Sequence, residues 1–549
     1  MGAWLALFLL TASPSEEVKS EAKARIQDIE QDLEDWDIEG AHQELDALEK
    51  AISPALEPVR YLHGRVAFEE GRYDEAATSL KGAGVEDKPG SYLRLALDTQ
   101  AIVKDYAHAD SEHFIFFYPP GKDEILAPWA LQTLEAQRAA LEAALGFAPP
   151  GKVRVELVTN DRQLAKASTL TVDEINTTGT IAICKFNKLI VTSPKAVPHG
   201  YDWRDTLAHE FTHLVVSRKS RNSVPIWLHE GIAKYFETAW RGAPGLALTP
   251  SNLALLGQRV RANTLVPFEK MHPSMALLPT AEDAATAFAE VFFAIDYLYG
   301  KRGAPGVRDL VEQLEKGDDD KHAVEHALGV SFAAFERLWL AHIRAQPFPK
   351  ELIPHDYHSP AALTERLKQG GKDAAAPKKK DREIAFGDFA EVAEPDARKA
   401  AHLGELFRER NHMGAAADEY ARAHALVGDR YESVSNKYAL ALLELKRDEE
   451  AEKVLMGSLR VHPAVPATQV HLGRVYLRRK DFPKAREAFM GALAADPFDE
   501  EIHFSLAAIY GQLGDVDLKE RTRHAAAVLT GLSPADVDRV AQRLIERTP

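Results

Sequence analysis

The sequence predicts a multidomain α+β protein, with one central domain of strands and helices and helical repeats on both sides of it. The chain has 549 residues, which at roughly 100–200 residues per domain corresponds to about three or four folded units. Strand-like alternation of apolar and polar residues opens residues 110–350, and helical spacing follows it. Near the C-terminus, similar segments recur at a fixed interval of 34 residues.

The composition is that of a globular protein. Hydrophobic residues make up 45% of the chain and charged residues 27%, a balance that excludes a membrane-embedded or disordered class. The formal net charge is -16, and such a surface repels phosphate backbones, so we expect no nucleic-acid partner. Cys184 is the single cysteine, which excludes an internal disulfide. It lies in a strand-like stretch, which favours a packed cysteine over a catalytic thiol.

The N-terminus resembles a signal peptide. Residues 1–15 contain a short apolar run followed by small residues, although no lysine or arginine precedes the run. We therefore expect export to the periplasm or cell envelope. The alternative is a buried first helix in a cytoplasmic protein. The run is too short to anchor the protein in a bilayer, and no other segment is long and apolar enough to span one.

The C-terminal repeat has a consistent pattern. Leu472-Gly473 is followed 34 residues later by Leu506-Ala507, and the same interval relates three further pairs: Ala451 and Ala485, Leu459 and Leu493, Pro463 and Pro497. This pattern resembles the tetratricopeptide repeat, a helix–turn–helix unit in which small residues let paired helices approach. We assign residues 395–549 to such repeats.

Residues 20–105 show the same pattern once. Gly64, Phe68 and Ala76 approximate the spacing of Gly473, Leu477 and Ala485, so we expect a second, shorter helical repeat segment here. Any helical hairpin could show one such match. On the other side of the central domain, residues 351–394 are predicted to be a linker, because their centre is rich in glycine, alanine and lysine and offers nothing to bury.

The central domain, residues 110–350, is predicted to begin with strands and to continue as helices. Helical spacing is expected at about 125–145 and from 203 to about 346. The predicted strands lie at residues 113–118, 153–158, 181–184 and 189–192.

The helical part contains His-Glu-x-x-His. In a helix, residues four apart lie on the same face, so His209 and His213 can direct two imidazoles at one metal ion. Apolar residues at helical spacing around the motif support the helix: Leu207, Phe211, Leu214 and Val215. Glu210 projects beside the ligands, where it can accept a proton from a metal-bound water. Alone, the motif is also compatible with two histidines that are satisfied by water or by neighbouring groups.

A second segment supplies a third ligand. Residues 225–237 begin with a helix-starting proline and carry an apolar stripe, which indicates a helix. Sixteen residues separate His213 from Glu230, enough for the chain to reverse and bring the carboxylate to the histidines. This ligand set predicts a site for one zinc ion, with one tetrahedral position left open for water or substrate. Manganese or cobalt could occupy the same site in vitro. His229 points about 100° away from Glu230 on an ideal helix and is not expected to be a ligand.

Together the two segments resemble the gluzincin metallopeptidases, whose third zinc ligand is a glutamate on the helix after His-Glu-x-x-His. Residues 227–233, Trp-Leu-His-Glu-Gly-Ile-Ala, are similar to the Trp-x-x-Glu-Gly-x-Ala signature of aminopeptidase-type members. With the flanking repeats, residues 110–350 resemble bacterial peptidase MA-like metallohydrolases. The resemblance implies a thermolysin-like fold in which substrate pairs with a sheet edge, so the strands near 179–192 would border the cleft.

The sequence departs from these relatives in two places. It has no Gly-x-Met-Glu-Asn segment, with which the aminopeptidases hold a free amino terminus, so an endopeptidase is favoured. The thermolysin pattern places an acid four residues after the ligand glutamate, where this chain has Lys234. Asp205 and Glu237 are candidates for orienting the metal ligands, the alternative being that both are solvated. A tyrosine or histidine should stabilise the developing oxyanion, and there are three candidates: Tyr297, Tyr235 and His272.

These residues predict a zinc-dependent endopeptidase that hydrolyses peptide bonds with a metal-activated water. Its substrate would be a protein or peptide, and the repeats would bind that substrate or a protein partner. The alternative is a protein-binding scaffold whose zinc site is structural or inactive, a reading disfavoured by Glu210, which is present without being a ligand. A zinc hydrolase of other substrates is also compatible, and the repeats could be only a stabilising solenoid.

Overall fold

A computed structural model gives the fold and describes residues 16–197, 200–246, 248–272, 274–275, 278–349, 389 and 391–546. The predicted signal peptide, residues 1–15, lies outside the described residues, as does nearly all of the predicted linker at 351–394. Over the described residues the protein is mostly helical, with one small sheet.

The N-terminal segment consists of helices that pack consecutively along the chain. They are α1 (Glu16–Glu34), α2 (Ile38–Ala51), α3 (Glu57–Glu69), α4 (Tyr73–Gly82) and α5 (Tyr92–Val103). A Cβ atom added to Gly64 of α3 would lie 2.6 Å from Cγ of Leu80 on α4. A small residue is needed there because the two helices approach so closely, which gives the predicted repeat pattern its physical basis.

The central sheet has five strands in the order β1-β2-β3-β5-β4. The strands are β1 (Ala107–Asp110), β2 (Phe114–Tyr118), β3 (Val153–Val158), β4 (Ala182–Lys185) and β5 (Lys188–Thr192). The three inner strands are parallel, and the outer strands β1 and β4 run antiparallel to their neighbours. The strand β4 is therefore an edge of the sheet.

Helices complete the central domain, and α6 and α9 cover one face of the sheet. They are α6 (Ala127–Leu145), α7 (Asp161–Ala167), α8 (Val172–Thr178), α9 (Trp203–Lys219), α10 (Ile226–Phe236), α11 (Pro250–Ala262), α12 (Ala281–Glu315), α13 (Asp320–Leu328) and α14 (Phe332–Arg344). The long helix α12 kinks at Gly303, whose φ of 63° is not helical.

The opposite face of the sheet meets the N-terminal helices. Successive side chains of a strand point to opposite faces, so Glu156 of β3 and Lys188 of β5 point away from the α9 side. Lys188 Nζ donates hydrogen bonds to the Glu156 carboxylate (3.0 Å) and to the Tyr73 hydroxyl of α4 (2.5 Å), and that hydroxyl donates to Glu156. The buried charges are thus paired, as burial requires.

The hairpin turn between β4 and β5 also packs into the N-terminal helices. Phe186 in this turn is 7% exposed. Its ring lies edge-on to Phe68 of α3 at 5.1 Å and near Tyr92 of α5 at 6.1 Å between centroids. One end of the edge strand is therefore anchored in the N-terminal segment.

The C-terminal segment is a series of paired helices. They are α15 (Pro395–Glu409), α16 (Met413–Val427), α17 (Glu432–Glu444), α18 (Asp448–Val461), α19 (Pro466–Arg478), α20 (Phe482–Ala495), α21 (Glu500–Leu513), α22 (Val516–Thr530) and α23 (Pro534–Glu546). An added Cβ would meet an aromatic ring of the partner helix at two equivalent glycines, Gly404 against Tyr420 and Gly473 against Phe489. The repeated glycine is thus the point of closest helix approach.

Three of the C-terminal pairs contact the central domain through their second helix. The contacts join α18 to α11, α20 to α9, and α22 to the short turn at residues 122–126. The Arg521 guanidinium on α22 lies 4.6 Å from the Trp129 ring centroid. One buried hydrophobic cluster runs through both parts of the molecule.

No helix among the described residues is both long enough and apolar enough to cross a membrane.

Candidate metal centre

Two consecutive helices, α9 and α10, hold the residues of the predicted site. His209 and His213 lie one turn apart on α9, and Glu230 lies on α10. The adjacent Gly231 fixes the depth of α10, because a Cβ there would come within 2.8 Å of the Val291 carbonyl oxygen on α12. Glycine therefore lets α10 lie against α12, and this contact sets where Glu230 reaches.

The structure brings the three predicted ligands together. His209 Nε2 and His213 Nε2 are 3.0 Å apart, and each lies 3.5 Å from Oε2 of Glu230. Tetrahedral ligands about 2.0–2.1 Å from zinc lie roughly 3.3–3.4 Å from one another. The donor set and its spacing therefore fit one zinc ion. Among the described residues no other group of His, Cys, Asp or Glu side chains comes together in this way.

Glu210 lies beside this triangle without belonging to it. Its side chain is 8% exposed, and it accepts a hydrogen bond from the backbone N–H of Cys184 on the edge strand β4. Burial raises the pKa of Glu210, and the neighbouring charges of His213 and His209 partly oppose that rise. A carboxylate with a raised pKa is better matched to proton transfer near neutral pH.

The far nitrogen of His209 is held by Glu237. His209 Nδ1 lies 3.0 Å from Oε2 of Glu237, and Lys234 Nζ donates to the other oxygen at 2.7 Å. Burial lowers the pKa of His209, but its bonds to Glu230 and Glu237 outweigh burial and raise the pKa to about 10. Lys234, at the position where the thermolysin pattern has an acid, thus contacts Glu237, and Glu237 is the acid that contacts His209.

Asp205, the other candidate for orienting a ligand, is not brought to His209. Its two carboxylate oxygens lie 2.9 Å from Trp240 Nε1 and 2.5 Å from Arg241 Nη2. The side chain therefore points past the metal ligands toward the short turn after α10.

The recorded contacts of two oxyanion candidates, Tyr235 and Tyr297, do not involve the ligand atoms. The Tyr235 ring packs on Phe292 and Tyr299. Tyr297 of α12 lies against Phe335 and His342 of α14. Ile295, two residues earlier, faces α10. Residues two apart in a helix point in nearly opposite directions, so the Tyr297 side chain points away from α10. His272 is exposed in the segment after α11.

Two residues that the sequence did not single out as part of the site support the second histidine. His213 Nδ1 lies 2.7 Å from His229 Nδ1, and His229 Nε2 lies 3.0 Å from Ser217 Oγ. Burial lowers the pKa of His229 to about 3. A signal was present in the sequence, because His209, His213 and Ser217 recur every four residues on one helix face.

Cys184 and Tyr201 also lie near the base. Burial raises the pKa of the Cys184 thiol, and the charge of Glu210 adds to the rise, so the thiol is a poor nucleophile, as the strand-like packing predicts. Tyr201 donates its hydroxyl hydrogen bond to the carbonyl oxygen of Thr192 on β5. The same two influences, burial and Glu210, raise the pKa of Tyr201.

Comparisons with known proteins agree with the position of this centre. Residues 136–345 match the family model of the Peptidase MA superfamily, and no curated protein matches the chain. Solved structures give only weak likenesses. The Cut9–Hcn1 hetero-tetramer of the APC/C shares 11% identity and a TM-score of 0.25, covering 98% of both chains. Yeast LTA4 hydrolase in complex with bestatin shares 14% identity and a TM-score of 0.29, covering 77% of this chain and 67% of that one.

A further structure, of native leukotriene A4 hydrolase from Saccharomyces cerevisiae, shares 14% identity and a TM-score of 0.28, covering 80% of this chain and 67% of that chain. Such low TM-scores do not define a common fold. The family match stands apart from them, because it spans both α9 and α10 with all three predicted ligands. The part of the chain that carries the candidate metal centre is the part that resembles the Peptidase MA superfamily.

Proposed function

We propose that the protein is a zinc-dependent endopeptidase whose central domain has a thermolysin-like arrangement. One observation carries the proposal: three metal-binding atoms converge at zinc-compatible spacing, and a buried carboxylate that is not one of them lies beside them. A structural zinc site would need a fourth protein ligand. Among the described residues the cluster offers only three, which leaves a position for water and substrate and disfavours the scaffold alternative.

The chain's own residues divide the work of hydrolysis. His209, His213 and Glu230 would hold the ion, which when bound acidifies its water and polarises the substrate carbonyl. Glu210 accepts the proton of the attacking water and passes it to the leaving amine. The hydrogen bond from the backbone of Cys184 keeps the carboxylate of Glu210 oriented during both transfers.

The edge strand β4 supports a peptide as the substrate. An extended peptide can add to an exposed sheet edge through main-chain hydrogen bonds, and β4 is an edge that lies against α9. Because the backbone of Cys184 contacts Glu210, a peptide paired alongside β4 would pass close to the base. The absence of the aminopeptidase segment for a free amino terminus favours cleavage within a chain.

The helical repeats support a protein partner or protein substrate. Three of the C-terminal pairs contact the central domain through their second helix, and the remaining helices of the array extend beyond these contacts. Stacked helix pairs present an extended concave surface, which repeat proteins commonly use to bind other proteins. We further propose that the protein is exported to the periplasm or cell envelope, on the basis of residues 1–15. The net charge of -16 disfavours nucleic acid as a ligand.

The substitution Glu210→Gln tests the proposal. Because Glu210 is not a ligand, we expect zinc content, measured by elemental analysis, to stay near one ion per chain. Cleavage of a quenched fluorescent peptide library should fall by at least about 100-fold, the usual contribution of a positioned base. Glu315→Gln, an exposed substitution at the end of α12, is the matched control. Full activity of Glu210→Gln, or wild-type protein that takes up no zinc, would contradict the proposal.

A further inference from the structure

We infer that His229, held by Ser217, is a positioning residue that fixes the orientation and tautomer of the metal ligand His213. The inference deepens the proposed function and rests on it, because it assumes that His213 binds the ion. His229 is adjacent to the ligand Glu230 on α10, and neighbouring residues of a helix point about 100° apart. Helical geometry alone therefore gives no indication that His229 contributes to the site.

The contact between the two histidines is made edge to edge. Their ring planes differ by only 9°, with centroids 4.5 Å apart, while the two Nδ1 atoms are 2.7 Å apart. That distance is shorter than the roughly 3.5 Å at which two ring faces touch. The rings therefore lie side by side, with one Nδ1 directed at the other as in a hydrogen bond.

The direction of the hydrogen bond follows from the role of His213. A metal-binding Nε2 must present its lone pair to the ion, so the neutral ring carries its proton on Nδ1. His213 then donates to His229 Nδ1, which must be an acceptor. His229 in turn carries its proton on Nε2 and donates to Ser217 Oγ, 3.0 Å away. One assignment of protons satisfies all three groups.

The position of His229 excludes it as a fourth ligand in this arrangement. One of its nitrogens faces the far nitrogen of His213, and the other faces Ser217. Neither is directed at the triangle formed by His209 Nε2, His213 Nε2 and Glu230 Oε2. His229 therefore lies behind His213, in the place that Glu237 occupies behind His209.

The two supports differ in charge. Glu237 is a carboxylate that also receives Lys234, whereas His229 is a neutral ring backed by a hydroxyl. Removing an outer hydrogen-bond partner of a metal-bound histidine typically weakens metal binding by 10–100-fold. We expect a loss within that range when His229 no longer accepts the His213 proton.

A pair of amide substitutions tests the inference. In His229→Asn the side-chain oxygen can take the place of Nδ1 and accept from His213. In His229→Gln the longer side chain places its amide near Nε2, where it reaches Ser217 instead. The two variants have the same chemistry and differ in the position of the acceptor. The zinc dissociation constant is measured by competition with a chromogenic chelator, and the Co²⁺ absorption spectrum reports the ligand geometry.

We expect zinc binding within a few-fold of wild type for His229→Asn and about 10–100-fold weaker for His229→Gln, with a changed Co²⁺ spectrum in the second variant only. Ser217→Ala, which removes the group that fixes the His229 tautomer, should give a smaller loss. Equal zinc affinity and spectra for wild type and His229→Gln would overturn the inference while leaving the metal centre intact. Wild-type protein that binds no zinc would instead overturn the proposed function, and the inference with it.

Discussion

The backbone N–H of Tyr201 donates a hydrogen bond to the carbonyl oxygen of Ala495, with 3.1 Å between the two atoms. Tyr201 lies just before α9, which carries two of the three candidate metal ligands, and Ala495 ends α20 of the C-terminal segment. Nearby, Trp203 Nε1 lies 3.4 Å from the Leu493 carbonyl oxygen. The start of the metal-binding helix is thus held by the C-terminal repeats.

Gly200→Ala should break this contact. A Cβ at Gly200 would overlap the Ala495 carbonyl oxygen, and the φ of +66° adds backbone strain. Gly84→Ala is the matched control, because Gly84 has a φ of +71° with no atom near its Cβ position. Strain alone costs about 1–2 kcal/mol, so Gly200→Ala should show a distinctly larger drop in melting temperature, together with weaker zinc binding. Equal drops in melting temperature for the two substitutions would show that the contact between Gly200 and Ala495 does not contribute to stability.

Glu237→Gln should weaken zinc binding, because the His209 ring loses its charged partner and with it some of its basicity as a ligand. The expected loss is about 10-fold, at the low end of the effect of such outer partners. Asp205→Asn serves as the comparison, since Asp205 contacts Trp240 and Arg241 instead. Competition with a chelator should show nearly unchanged zinc affinity for Asp205→Asn. A larger loss of affinity for Asp205→Asn than for Glu237→Gln would mean that Asp205, and not Glu237, supports His209.

Phe186→Leu should loosen the edge strand from the N-terminal helices. The substitution removes the ring contacts with Phe68 and Tyr92 and should cost about 1–2 kcal/mol of unfolding free energy. Phe335→Leu is an equally buried control, 1% exposed in α14. Both variants should melt earlier, but kcat/KM for peptide cleavage should fall only for Phe186→Leu. Parallel losses of activity in the two would argue against a role of β4 in substrate binding.

Glu290 should make the stability depend on pH. Its side chain is fully buried, and one carboxylate oxygen accepts from the Val266 N–H at 2.8 Å. Burial raises its pKa from 4.5 to about 8, although Val266 and Arg259 lower it somewhat. The folded protein therefore binds a proton that the unfolded chain has released, so stability falls as pH rises from about 4.5 to 8.

At about 1.36 kcal/mol per pKa unit, this group should reduce the unfolding free energy by roughly 5 kcal/mol above pH 8, relative to its value below pH 4.5. Glu290→Gln keeps an oxygen for Val266 and cannot ionise. Its denaturant midpoint should exceed that of wild type at pH 9 and change less between pH 5 and pH 9. The same slope in both proteins would mean that another group titrates.

The helices and ligands could be predicted because they depend on local periodicity. The four-residue spacing of His209 and His213 and the apolar stripe around each motif place both histidines on one face, whatever the rest of the fold does. The strand predicted at 153–158 coincides with β3. The short strand β1 could not be predicted, because its four residues, Ala-His-Ala-Asp, include no β-branched or large aromatic side chain.

The supports of the ligands could not be predicted, because they depend on how distant helices pack. Helical spacing placed Asp205 one turn before His209, but Trp240 and Arg241 hold it elsewhere. Helical spacing also directs His229 away from Glu230, and His229 is indeed not one of the three ligand residues. The spacing within one helix could not show that His229 contacts the ring of His213, which lies on a different helix. The Tyr201–Ala495 contact joins parts of the chain that share no local pattern.

The continuous hydrophobic cluster that runs from the central sheet into the C-terminal helices has a consequence for how the molecule melts. Because the two parts share one buried core, loss of packing in one part should remove stabilising contacts from the other. A polypeptide cut between them would leave apolar surface on both pieces exposed to water. The C-terminal helices and the domain with the candidate metal centre therefore depend on one shared core, and we expect each part alone to be less stable than the two together.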